Sequence, residues 1–286
     1  MQPIIDANFP VKYNWKQISP AGLSLKNSFS FTHMGREWIC ATDMIRGGTV
    51  ILRLDSDGWK EHLLCFPGWS MMWAPYPYVD ATGRLFLYCC DTGGGDISHW
   101  WDYMRIKRHW MDLNNKTFGP LESVVTPADS HGLIDPALFR IGEWWYLVYV
   151  DLWNSQTQEW WDPCYSVSRS PNGPFTDSIN LQAPERGIDE ACKPFRNRDG
   201  KLFVTWSSGD SGIDGGAYLG ELAATGQHPD GWLYFRINPK AQLKSVNSQL
   251  CTALDPGAWP LLRGTFRTPG YQADDMRSNF YIGELL

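Results

Sequence analysis

The chain has 286 residues, 43% of them hydrophobic and 20% charged, a balance that folds around a sizeable core and excludes intrinsic disorder. Its formal net charge of −6, with no basic cluster beyond Arg105-Ile106-Lys107-Arg108, argues against nucleic acid as a partner. No apolar run reaches the roughly 18 residues of a membrane-spanning helix, so no membrane partner is expected.

The opening residues 1–15 lack the basic and apolar regions of a signal peptide, and the seven cysteines form no C-x-x-C pair. They read as reduced, buried thiols of a cytoplasmic protein. Sixteen Trp, twelve Tyr and thirteen Phe bring the aromatic content to 14%. Such residues suit half-buried strands, and in clefts they also stack on sugar faces.

Along the chain, short aromatic and β-branched runs alternate with Gly, Pro, Asn and Asp clusters, and no long helical stretch separates them. The first hairpin unit is Ser28 to Gly35, followed by Arg36-Glu37-Trp38-Ile39-Cys40. Clearer copies begin at Tyr76-Pro77, Asp135-Pro136 and Lys193-Pro194, each with a Gly some six positions after the Pro and then a hydrophobic strand. The starts at 28, 76, 135 and 193 are 48, 59 and 58 residues apart, the size of a four-stranded propeller blade. With residues 232–286 as a last unit, the pattern predicts an all-β, five-bladed β-propeller forming a single domain over 1–286. Between the units, Asp91 to Tyr103 reads as a long Gly-rich loop, a place for specificity or a plain insertion. Asp210 and Asp214 lie in a similar loop without the ligand spacing of an EF-hand. No P-loop and no G-x-S-x-G elbow is present, so no cofactor and no metal is expected.

Three motifs carry a family resemblance: Trp73-Ala74-Pro75-Tyr76, Ile134-Asp135-Pro136-Ala137-Leu138-Phe139, and Tyr165 to Phe175 with its Ser-Pro-Asn-Gly-Pro-Phe turn. In order and spacing, over about residues 70–222, they resemble the five-bladed β-propeller glycosidases of glycoside hydrolase family 43 and relatives. The resemblance implies a central pit in which one carboxylate activates water, a second protonates the leaving oxygen, and a third positions that acid and tunes its pKa. This is the logic of an inverting glycosidase, with the first two carboxyls about 6.5–9.5 Å apart.

Carried over residue by residue, the pattern is only partly met. Counting back from Gly35 puts Ser28 at the place of the water-activating Asp, with Asn27 beside it; neither can accept the proton. Tyr76 replaces the Asp of the family's W-A-P-D. Asp135 matches the pKa-tuning Asp, although Asp-Pro is also a plain turn signal. Counting back from Pro194 leads to Cys192 for the acid; Glu190 and Asp189 lie two and three residues earlier, and a bulge brings Glu190 into the role. A solvated loop pair is the alternative for both. Lys193, if it faces the pit, is an ion-pair partner of Asp135, a substrate anchor, or a base of lowered pKa. His131 precedes the Asp135 strand as an acid–base, substrate-binding or structural group, and His33 reads as structural or exposed. Trp73 is a stacking wall or a core residue. The candidate catalytic set is therefore Asp135, Glu190 and Lys193, and the substrate-binding set Trp73, Tyr76, Ser28, Asn27, His131 and Asp189.

Three functions follow from these residues. One is an enzyme acting on a glycosidic bond. The second is a propeller that has lost hydrolysis and performs acid–base chemistry, such as cyclisation or elimination, on a small biosynthetic intermediate. The third is a lectin-like module. The expected partner in each is a sugar or small molecule.

Overall fold

A computed structural model describes residues 13–17, 22–69, 71–93, 103–124, 126, 132–152, 162–181, 188–196, 200–209, 216–243, 251–255, 262–267 and 278–285. The chain is all-β and has a β-propeller fold. After β1 (Tyr13–Gln17), the first sheet takes β2 (Leu25–His33), β3 (Arg36–Asp43), β4 (Thr49–Asp55) and β5 (Gly58–Cys65) in that order. The second contains β6 (Met72–Val79), β7 (Leu85–Asp91), β8 (Arg105–Asp112) and β10 (Glu122–Ser123), with β9 (Thr117–Phe118) also paired to β8. The third contains β11 (Leu133–Ile141), β12 (Trp144–Asp151), β13 (Asp162–Ser168) and β14 (Ile179–Asn180). The fourth contains β15 (Ile188–Arg196), β16 (Leu202–Gly209), β17 (Gly216–Gln227) and β18 (Leu233–Leu243). These four sheets are blades of consecutive antiparallel strands.

The last sheet departs from the expected unit at 232–286. Leu233–Leu243 is the outer strand of the fourth blade, because the turn His228 to Trp232 folds it straight back on β17. Only β19 (Cys251–Asp255), β20 (Leu262–Arg267) and β21 (Ser278–Leu285) remain, and β1 supplies the fourth strand from the other end of the chain. The first strands of the sheets touch in a ring: β2 with β6, β6 with β11, β11 with β15, β15 with β19, and β19 with β2.

Aromatic side chains close the seams between blades. Tyr146 and Tyr165 of the third sheet meet Phe235 of the fourth edge-on, and their hydroxyls accept the backbone N–H groups of Leu233 (2.8 Å) and Phe235 (3.0 Å). Tyr88 of the second blade donates to the carbonyl of Pro171 beyond β13 at 2.7 Å. Each such bond contributes about 1 kcal/mol net, and more would be lost by leaving the strand N–H groups unmet. These aromatic residues are thus blade cement rather than cleft lining. Cys40, Cys65, Cys89, Cys90, Cys164 and Cys192 are free thiols, all buried.

Candidate functional site

Each first strand breaks register at the same height. The shifts fall between Lys26 and Phe29, Trp73 and Tyr76, Ile134 and Ala137, Glu190 and Lys193, and Cys251 and Ala253. In three strands the first bulge residue is left-handed: Asn27 (φ 50°), Ala74 (φ 52°) and Asp135 (φ 55°). Asn and Asp tolerate this region better than other residues with a Cβ, while Ala74 is held there by donating its N–H to Thr42 Oγ1 at 3.1 Å. A recurrent bulge re-aims a side chain. Here it brings together two residues from blades that are not neighbours: Asn27 Nδ2 donates to Asp135 Oδ1 at 3.2 Å across the axis. Both are buried, at 3% and 2% exposure.

Register sorts the surrounding residues into layers. One position before the bulge stand Lys26, Trp73, Ile134 and Glu190; just after it stand Phe29, Tyr76, Ala137 and Lys193. In the lower layer Lys193 is fully buried, its Nζ 5.5 Å from the Tyr76 ring centroid and 6.0 Å from that of Phe29, and the two rings are 4.6 Å apart. Aromatic faces are the apolar surroundings a cation tolerates best. In the upper layer Lys26 Nζ lies 5.3 Å from the Trp73 ring centroid. Cys90, cross-strand from Trp73, donates its thiol to the Trp73 carbonyl at 3.4 Å. Burial, and then the negative charge of Asp135, pushes the Cys90 thiol up to about 12, so it is no nucleophile at neutral pH.

This arrangement corrects three expectations of register. Asn27, not Ser28, is the counterpart of Asp135; Ser28 is the second bulge residue, alongside Pro75, Pro136 and Cys192. The count from glycine slips because the β2–β3 turn is Met34-Gly35 whereas the β11–β12 turn is Gly142-Glu143, so the glycine moves by one place. Lys193 is likewise two positions beyond the counterpart of Asp135, which is Ala191. There the β15–β16 connection holds five residues, 197–201, where the β11–β12 turn holds two. Tyr76 has the same displacement and packs its ring on Phe29 instead of standing at the bulge. Trp73 is buried, at 9% exposure.

The bulge anticipated near Glu190 is present, with the backbone of Glu190 opposite Ser207 and that of Asp189 opposite Ser208. His131, Asp210, Asp214 and residues 94–102 of the Gly-rich loop lie outside the described residues. His33 ends β2 at the opposite face. Lys26 and Cys90 were not singled out by sequence reasoning; Lys26 directly precedes the Asn27-Ser28 pair, and only the register shows its height.

The pair at the centre is chemically asymmetric. Asp135 can exchange a proton, whereas the Asn27 amide can only donate to it and accept at its oxygen. Among the described residues Asn27 Oδ1 accepts no hydrogen bond. A buried acceptor left so costs about 1–3 kcal/mol, which a ligand hydroxyl recovers. Two other buried carboxylates on second strands are tied to their own turns: Asp43 accepts the N–H groups of Ile45 and Arg46, and Asp91 that of Gly93. Burial raises the Asp91 pKa.

No family model and no curated protein matches the sequence. Solved structures do. An α-L-arabinofuranosidase from Lactobacillus brevis aligns with 93% of this chain and 92% of its own, at 14% identity and a TM-score of 0.70. An α-L-arabinanase from Cellvibrio cellulosa, solved with arabinohexaose, aligns over 74% and 76% at 11% identity, TM-score 0.52. A family 43 arabinoxylan arabinofuranohydrolase from Bacillus subtilis, solved with cellotetraose, aligns over 77% and 51% at 16% identity, TM-score 0.51. At such identities the likeness is one of fold, and the chain is a β-propeller of the kind these glycosidases use.

Proposed function

We propose that the protein is a carbohydrate-active propeller, working as one unit of five blades, that binds a sugar or sugar-derived small molecule on its axis and performs proton-transfer chemistry there without inverting hydrolysis. The observation that carries this reading is the Asn27–Asp135 pair. An inverting hydrolase needs a carboxylate to take a proton from water and a second about 6.5–9.5 Å away to give one to the leaving oxygen. Asn27 stands at Asp135's register in the first blade and cannot take that proton. Its unfilled amide oxygen and the Asp135 carboxylate together suit a hydroxyl-bearing ligand.

In this reading Asp135 moves the proton, Glu190 at the layer before it is the second acid–base group, and Lys193 in the layer beneath is a cationic group for substrate anchoring. Trp73 and Tyr76 wall the axis, and Ser28, Asp189 and His131 are the remaining substrate-binding candidates from the sequence. The sugars bound by the fold neighbours support a carbohydrate-derived substrate. The free thiols support a reducing, cytoplasmic setting.

The test pairs calorimetry with a hydrolysis assay. Oligosaccharides of arabinose and xylose are titrated into the wild type, Asn27→Ala and Asp135→Asn, and aryl α-L-arabinofuranosides and β-D-xylosides are assayed for release of the aryl alcohol. Saturable binding, weakened about tenfold in each variant, with no aryl alcohol released, supports the reading. Hydrolysis at an ordinary enzymatic rate, about 1 s⁻¹ or more, and dependent on Asp135 restores the hydrolase; absence of any sugar binding removes the carbohydrate assignment.

A further inference from the structure

A cavity of about 340 Å³ opens on the face opposite the bulge ring, where β2 and β6 reach their hairpins. It lies between the β2–β3 turn at Met34, the β6–β7 turn at Thr82 to Arg84, and the end of β8 at Asp112. Its volume is in the range of small-molecule sites. The floor is apolar and buried, with Leu85, Met111 and Leu113 at 1–3% exposure. The walls carry the chemistry.

Arg84 spreads its guanidinium over Phe86 and Trp110, with Cζ 5.3 and 5.1 Å from the ring centroids. Contact with two aromatic rings restrains the guanidinium, which keeps its five N–H donors. Among the described residues Arg84 forms no ion pair. Across the cavity, Asp112 is held rigid by its own turn: Oδ1 accepts the N–H groups of Asn114 (2.9 Å) and Asn115 (3.1 Å), and Oδ2 accepts Asn115 Nδ2 (2.7 Å). Those bonds hold its carboxyl below the usual range, so it stays an anion with lone pairs to spare. Burial lowers the His33 pKa as well, so the imidazole is neutral at pH 7, able both to donate and to accept. At the rim, Met34 is 61% exposed and is joined to Asn114 by an N–H···S contact of 3.5 Å that ties the first two blades together.

The charges select the ligand. An anion placed here meets Asp112, and behind Arg84 it meets Asp80, whose carboxylate caps the β6–β7 turn. A cation meets Arg84. A neutral ligand with many hydroxyls satisfies the fixed donor and the fixed acceptor at once. We propose that this cavity is a second carbohydrate-binding site, taking one or two neutral sugar units through Arg84 and Asp112. It is independent of the axis, so it anchors a sugar chain or a glycosylated partner without taking part in turnover.

Calorimetry with xylobiose and arabinobiose as neutral probes, and glucuronate and glucosamine as charged ones, tests the proposal. The proteins are the wild type, Arg84→Gln and Asp135→Asn; Arg84 is exposed, so its substitution leaves the fold intact, which a melting curve checks. The neutral disaccharides are expected to bind about tenfold more weakly to Arg84→Gln and to keep this component in Asp135→Asn. The proposal is overturned if Arg84→Gln changes nothing, or if only a charged probe binds through Arg84. If Arg84→Gln abolishes all sugar binding while Asp135→Asn changes none, the cavity stands and the axial reading falls. The reverse pattern removes the cavity and leaves the axis.

Discussion

Asn27 and His109 show how single side chains set the pH behaviour of this propeller. In the wild type an amide donates to Asp135 at 3.2 Å, and the pair contains one carboxyl group. Asn27→Asp places two carboxylates at that separation in a buried site, where one must keep its proton. The folded state then holds a proton that the unfolded chain has released. Stability of the variant is therefore expected to match the wild type near pH 4 and to fall as pH rises towards 8, read as a urea midpoint at each pH. A pH-independent difference from the wild type refutes the geometry. His109 acts in the opposite sense. Its ring is fully buried between Phe66 and Phe118, and desolvation lowers its pKa to about 4. Unfolded, the same imidazole titrates near 6.5, so the unfolded state binds the extra proton as pH drops. Folding stability should fall by about 3 kcal/mol between pH 6.5 and 4 on this account alone, and His109→Phe should remove that slope.

At the scale of the element, the hairpins and bulges were legible to different degrees. Pro, Gly and aromatic spacing marks all four β-hairpins that open the blades, because turn chemistry and strand propensity are local. The bulge is set by pairing with the next strand, which spacing does not reveal. Hence the count from Gly35 fell one residue from Asn27, and Lys193 was matched to Asp135 although it lies in the layer below. Glycine position matters more where a second backbone approaches. A Cβ on Gly48 would lie 2.2 Å from the Cys65 carbonyl oxygen and 2.4 Å from that of Phe66, in a residue at φ +79°. Gly35, at φ +71°, has nothing within 4 Å. Gly35→Ala should cost about 1–2 kcal/mol, the strain of a left-handed alanine. Gly48→Ala should cost more than about 3 kcal/mol, because the β5–β6 junction must also move. Equal losses in denaturant titration would mean that the carbonyls yield freely.

For the whole molecule, closure rests on a pairing that no local signal announces. The composition and strand rhythm indicate a propeller, yet β1 and β21 are separated by nearly the whole chain, so the sequence read in order assigned 232–286 to the last unit by itself. In the structure β1 pairs with β21 from Tyr13↔Leu285 to Gln17↔Tyr281, covering an edge that would otherwise present free N–H and C=O groups. That strand also joins the ring indirectly, through β19, to both β2 and β15. Removing residues 1–17 should therefore lower the melting temperature by about 5 °C or more, since each kcal/mol is worth roughly 2–4 °C in a chain of this size. The exposed β21 edge should also drive association as concentration rises, detectable by light scattering. Adding a synthetic peptide of residues 1–21 should restore both properties by strand addition. A truncated chain that melts at the wild-type temperature and stays monomeric would show instead that β19, β20 and β21 close the ring unaided.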